Sequence, residues 1–258
     1  MLGKLIKHEF RATARTMVPL FLILLAVTLC AFAAFNFLTA GLGGMFAAMF
    51  MFLFFLAVLA MLIMSFVLMI QRFKNNLLSD EGYLMFTLPV SIHSLLWSKL
   101  IVSTVWFIAA GAASVLATML STARAARAAN ADWRGMGQSF SDTFGLNNVG
   151  YVLELVLALL LGCVCLCLLF YAAMSLGHSF AHNKGLWSVL LAIGFFIVAQ
   201  MLGITSLVAV FRINAVNTLS TAVQIHASLG SMLAAEAVYA AVFYVVTWLS
   251  LQRRMNLA

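Results

Sequence analysis

Charge is what this chain has least of. Asp, Glu, Lys and Arg together make up 8% of its 258 residues, against about 25% in an ordinary soluble domain. So few charges cannot cover the surface of a water-soluble globule, and that class is excluded. Cysteine is scarce as well; four in the whole chain make no disulfide scaffold. Polar, low-hydrophobicity composition is missing too, which excludes disorder. What is present in excess is apolar: 65% of the residues are hydrophobic and the mean hydropathy is +1.12. A chain that crosses a membrane several times remains. Its net charge of +7 then bears on which side the basic residues occupy and does not call for nucleic acid.

No Asp, Glu, Lys or Arg occurs from Thr16 to Gln71, and the glycine-containing stretch Thr39 to Gly44 divides this run in two. A hydrocarbon core of about 30 Å takes roughly 20 helical residues. The sequence therefore predicts an all-α fold with six transmembrane helices at about 17–38, 45–70, 100–121, 151–174, 186–211 and 232–251. A barrel would instead alternate in segments of about ten residues. Ten basic residues fall on the side of the N-terminus, the second-to-third and fourth-to-fifth connections and the C-terminal tail. Arg124, Arg127, Arg134 and Arg212 fall on the other. The excess of Lys and Arg predicts that both termini are cytoplasmic. The basic start followed by a run of spanning length needs no cleaved signal peptide.

Residues 1–16 read as an interfacial helix. Leu2, Leu5, Ile6 and Phe10 project to one side, and Lys4, Lys7, His8, Arg11 and Arg15 to the other, the division expected of a helix lying on anionic lipid. Glu9 falls on the apolar side and is expected to pair with a cation from another cytoplasmic segment, Arg72 or Lys99.

The segment 72–99, RFKNNLLSDEGYLMFTLPVSIHSLLWSK, is the richest in signals. Ser79 can cap a short helix whose first turn holds Asp80 and Glu81, where carboxylates favour the helix dipole. Tyr83, Leu84, Met85, Phe86 and Leu88 give that helix an apolar surface, Pro89 stops it, and Ser91 can cap the next helix. An apolar surface rimmed by charge is what a protein interface offers, although such a helix can also lie among lipid headgroups.

The basic amphipathic start, the segment LPVSIHSLLWSK, the stretch EGYLMFTLPVS from Glu81 to Ser91 and the six-span layout resemble the permease subunits of ABC-2 type ATP-binding-cassette transporters, above all the compact permeases of Gram-positive bacteria. The resemblance in layout covers essentially the whole chain. It implies that residues 1–16 form the elbow helix and that the second-to-third connection carries a coupling helix seated on an ATPase. Asp80, Glu81, Gly82, Tyr83, Met85 and Phe86 are then the expected contacts. It further implies a multi-pass protein of the bacterial cytoplasmic membrane. Its partners would be ATP-binding-cassette ATPase subunits, a second copy or a sister permease, and membrane lipids. The family often has a larger outer or re-entrant element before the last span; Arg212 to Ser231 is short for one.

The chain has no G-x-x-x-x-G-K-[ST] loop to cradle phosphates, so it is expected to be no enzyme and to hold no cofactor of its own, ATP and Mg being bound by the partner. HEFRA at His8 lacks the second histidine of a zinc protease, and no G-x-S-x-G elbow occurs. His178, His182 and Lys184 form a candidate second cytoplasmic contact; the two histidines, four apart, would share a helix face, but without further ligands no metal is expected. Cys163, Cys165 and Cys167 alternate along a helix and read as packing residues. Glu154 and Glu236, each placed a few residues inside the outer end of its span, and Gln200, deeper in the fifth, are the candidates for a translocation path, with Arg212 or Arg124 as prospective partners of the carboxylates. The function expected is export of an amphiphilic compound such as a peptide antibiotic, a lipid or a drug. The alternative is a non-transporting scaffold or sensor partner that recruits a cytosolic protein.

Overall fold

A membrane interior offers the backbone no water, so a spanning segment must satisfy its N–H and C=O groups internally. The computed structural model, which describes residues 2–34, 42–78, 90–128, 135, 138, 141, 149–180, 182–217 and 221–255, meets this with helices. They are α1, Leu2–Ala34; α2, Leu42–Phe73, continued by a π-helical turn at Lys74–Leu78; α3, Ile92–Ala128; α4, Val149–Gly177; α5, Lys184–Asn217; and α6, Thr221–Met255. All six are long and apolar enough to cross a membrane, and no strand occurs among the described residues.

Helices α2 to α6 outrun their expected spans at both ends, and α1 outruns its span at the start, residues 35–38 of that span lying outside the described residues. The basic start is continuous with the first span, residues 2–16 forming the first turns of one unbroken helix. At 33 residues, α1 is about 50 Å long. Pro19 lies inside it and removes only the bond to the Arg15 carbonyl, while the Thr13 hydroxyl donates back to the Glu9 carbonyl at 2.8 Å. The expected amphipathicity is present: Lys4, Lys7, Arg11 and Arg15 are exposed, whereas Leu2, Leu5, Ile6, Phe10 and Glu9 are partly buried. The stretch Arg212 to Ser231, read as a connection, is largely helical too, α5 continuing to Asn217 and α6 starting at Thr221.

The chain folds as two compact units. One comprises Lys7–Leu68 and Val105–Asn147. Its core holds Leu24 and Ala31 of α1, Phe54 and Met61 of α2, and Ala110 and Ala117 of α3. Within each pair the residues are seven apart, two helical turns, so each helix offers one continuous seam. The alanines of α3 let helices carrying large side chains approach closely. In the same unit the Trp106 indole N–H donates to the Thr13 hydroxyl at 2.8 Å, with Phe10 and Phe21 against its ring.

The other unit comprises Met1–Ile6, Met69–Thr104 and Asn148–Ala258. Helix α4 is its centre, packed on α6 and α5, and is buried almost continuously from Cys167 to Ser175. Tyr171 is fully enclosed; its ring stacks on Phe73 with centroids 4.1 Å apart, and its hydroxyl lies 2.9 Å from that of Ser103. Lys99 is buried as well. Ser91 caps α3, its hydroxyl accepting the Ser94 N–H at 3.3 Å.

The turn between α4 and α5 is tight. The His178 N–H donates to the Met174 carbonyl at 3.0 Å, and the Trp187 N–H to the Asn183 carbonyl at 3.1 Å. Asn183 takes a φ of 53°, a left-handed conformation that asparagine tolerates better than most residues. Because α4 ends at Gly177, His178 and His182 do not share a helix face. The ring Nδ1 of His178 instead faces the Met174 carbonyl at 3.0 Å, while His182 and Lys184 are exposed.

Candidate functional site

Depth along α6 is marked by its polar and aromatic residues. Near its start His226 lies against Tyr151, ring centroids 4.3 Å apart, and its Nδ1–H donates to both oxygens of Glu154, at 2.8 and 2.9 Å. Near its end Tyr244 and Trp248 cluster with His93 and Trp97 of α3, and the Tyr244 hydroxyl is 2.6 Å from the His93 Nδ1. Aromatic rings with polar tips favour the two membrane–water boundaries. His226 and Tyr244 are eighteen residues apart on one helix, about 27 Å, which matches a hydrocarbon core of about 30 Å.

Glu236 lies between these two clusters. The sequence places it just inside a span beginning at Met232, but the spanning helix runs from Val223 to Arg253, and Glu236 is near its middle. The reason is that Gln224, His226, Ser228 and Ser231 read as a polar connection in one dimension. Folded, His226 turns to Glu154, and Ser228 and Ser231 turn into a cavity. At mid-depth a charged side chain costs about 2.5–3.5 kcal/mol on insertion scales, so Glu236 is expensive where it stands.

The cavity has a volume of about 520 Å³, is open on one side and is lined by α4, α5 and α6. Its walls are mostly apolar, with Phe196, Ile204, Leu207 and Met232 among them. Glu236, Gln200, Ser206, Ser228, Ser231 and Tyr239 contribute polar groups, and no Lys, Arg or His lines it. Gly162 of α4 makes room for the acid: a Cβ there would stand 3.2 Å from the Glu236 Oε1. The Oε2 atom is buried and has no hydrogen-bond partner among the described residues. A largely apolar chamber of several hundred Å³ with a few convergent polar groups is the usual form of a small-molecule site. A second, smaller cavity of about 370 Å³, bordered by Thr104 of α3 and otherwise by apolar residues such as Leu157, Leu161 and Leu233, offers no such convergence.

Of the three residues expected on a path, the fold brings Gln200 and Glu236 to one cavity and keeps Glu154 out of its lining. Among the described residues Glu154 takes His226 as its partner and not Arg212, while the side chain of Arg124 lies outside the described residues. The sequence reading missed His226 because it fell in the supposed connection; the available signal was its distance of eighteen residues from Tyr244. A Glu154/His226 double-mutant cycle is expected to give a coupling of about 0.5–1 kcal/mol, as for other partly exposed pairs. Reversible unfolding in mixed micelles measures it, and a coupling of zero removes the pair as a stabilising contact. The expected ATPase contacts Asp80, Glu81, Gly82, Tyr83, Met85 and Phe86 lie outside the described residues.

These features define an all-α, multi-pass membrane protein with an acidic cavity at mid-helix depth. Comparison with protein families, curated proteins and solved structures returns no match to this chain.

Proposed function

We propose that this chain is the membrane-spanning permease subunit of an ABC-2 type transporter, exporting an amphiphilic compound with the help of a separate ATPase. The observation that carries the reading is the cavity at mid-depth with the Glu236 carboxylate in its wall. A membrane scaffold has no need of a half-buried acid beside an open chamber, whereas a protein that moves an amphiphile needs a place for both its apolar and its polar part. Two further features support it: the likeness of Glu81 to Ser91 to the family's coupling segment, and the lack of any nucleotide loop in the chain, which requires the energy source to be borrowed. Both termini then lie in the cytoplasm of a bacterial cell, with His178, His182 and Lys184 on the same side. Binding of ATP closes the ATPase pair, and the docked segment passes that motion to the spans as a rigid-body movement.

The test is whether an ATP-binding-cassette ATPase is encoded beside this reading frame and, with such an ATPase coexpressed, copurification and measurement of substrate-stimulated hydrolysis in liposomes. Glu81→Ala or Phe86→Ala is expected to weaken docking about 30-fold, the equivalent of one interface hot spot of about 2 kcal/mol, and to uncouple export from hydrolysis while the chain remains in the membrane. Export and ATPase assembly left intact by both substitutions would remove the coupling assignment. Absence of any such ATPase would favour the scaffold.

A further inference from the structure

We propose that the cavity lined by α4, α5 and α6 binds a lipophilic organic cation whose positive group is held by the carboxylate of Glu236. The inference deepens the transport reading and rests on it for the cavity's use, though not for its occupancy.

Three observations lead to this class of ligand. The first is charge. Glu236 is the one ionisable acid or base group among the lining residues apart from Cys165 and the phenol of Tyr239, and no cation faces it from α4, α5 or α6 within the cavity. The Oε2 atom, buried and without a partner among the described residues, is an acceptor that a cationic group could satisfy. The second is shape. Gly162 keeps the space beside the carboxylate clear, and the chamber of about 520 Å³ lies within the range of drug-sized sites. The third is access. Along the α5 wall Phe196, Gln200, Ile204 and Leu207 are all exposed, and none of the most hydrophobic stretch of α5 is buried within the protein. The cavity is therefore reached from the apolar side of α5, the route of a molecule already dissolved in lipid. An apolar body enters along these side chains, and its charged group is stopped by Glu236; Ser206, Ser228 and Ser231 donate their hydroxyl protons to carbonyls of their own helices, which leaves their oxygens to accept from a polar substituent beside Tyr239. An anion of the same shape meets the carboxylate with nothing to offset the repulsion.

Equilibrium dialysis of radiolabelled tetraphenylphosphonium against the full chain in lipid nanodiscs, with empty nanodiscs subtracted, tests the inference. Saturable binding is expected. Tetraphenylborate, an anion of the same shape, should not compete. Glu236→Gln should weaken tetraphenylphosphonium binding roughly 10- to 100-fold, the range of a lost charge-assisted contact. Gly203→Phe places a ring in the cavity from a position where a Cβ meets nothing within 4 Å, and should abolish binding while Glu236 is retained. This second variant decides the matter should Glu236→Gln fail to fold. Binding unchanged in either folded variant, or equal competition by tetraphenylborate, overturns the inference. Saturable cation binding by a chain that joins no ATPase leaves the inference standing and removes the transport reading. No saturable binding by a chain that still couples export to ATP does the reverse.

Discussion

Tyr171→Ala is expected to lower the stability of the protein by about 3–5 kcal/mol, the cost of deleting a fully enclosed aromatic side chain. The ring is buried from all sides and lies nearly parallel to Phe73, at 10° between planes. In lipid there is little hydrophobic drive between helices, so close packing of this kind carries most of their association. The alanine leaves a void where α2 and α4 meet, and the dispersion contacts of Phe73 are lost with it. Tyr171→Phe separates the ring from its hydroxyl. It removes the contact with the Ser103 hydroxyl at 2.9 Å and the longer one to the Lys99 carbonyl at 3.4 Å, and should cost only about 1 kcal/mol, since interhelical hydrogen bonds in membranes are modest. Denaturant unfolding in mixed micelles reads both; a loss under about 1 kcal/mol for the alanine chain would show that the ring is not an anchor.

Gly177→Ala should be nearly as damaging for the opposite reason. A Cβ at this position would fall 2.5 Å from both the backbone N and the Cα of Ser188, and nearer still to its hydroxyl oxygen. A side chain can rotate away from such a contact, but backbone can yield only if one helix moves. The turn from His178 to Asn183 ties α4 to α5 at this point, so displacement at Gly177 strains the turn as well. Overpacking of this kind costs about 1–3 kcal/mol and sometimes more; with backbone as the obstacle the upper end is expected. Gly194→Ala is the control. Nothing lies within 4 Å of its missing Cβ, and relief of glycine's entropy cost in a helix should leave stability unchanged or raise it by up to about 1 kcal/mol. The same micelle unfolding measures both substitutions. Equal midpoints for the two alanine chains would mean that α4 and α5 do not approach as closely at Gly177 as the structure places them.

The six helices were legible because the property that makes them, a long apolar run without charge, is local and adds up along the chain. Part of the seam of α3 is visible in one dimension as well: residues 109–113 are all Ala or Gly, and Ala110 is buried in a helix core. The start of α6 was not. Four polar residues within eight positions look like a loop; in the structure His226 finds Glu154 on α4, and Ser228 and Ser231 give their hydroxyl protons to carbonyls of their own helix.

Composition excluded a soluble protein, since 8% charge leaves few other solutions, the long uncharged runs determined that the spans are helices, and Glu236, Gln200 and Glu154 each stood out as polar groups in apolar surroundings. Only the tertiary structure decided which of them act together. Glu154 and His226 are 72 residues apart in the chain, and Gln200 and Glu236 reach one cavity from different helices. Such pairings depend on the rotation of each helix about its axis. That rotation is fixed by side-chain packing between helices, and no single helix carries the information to set it.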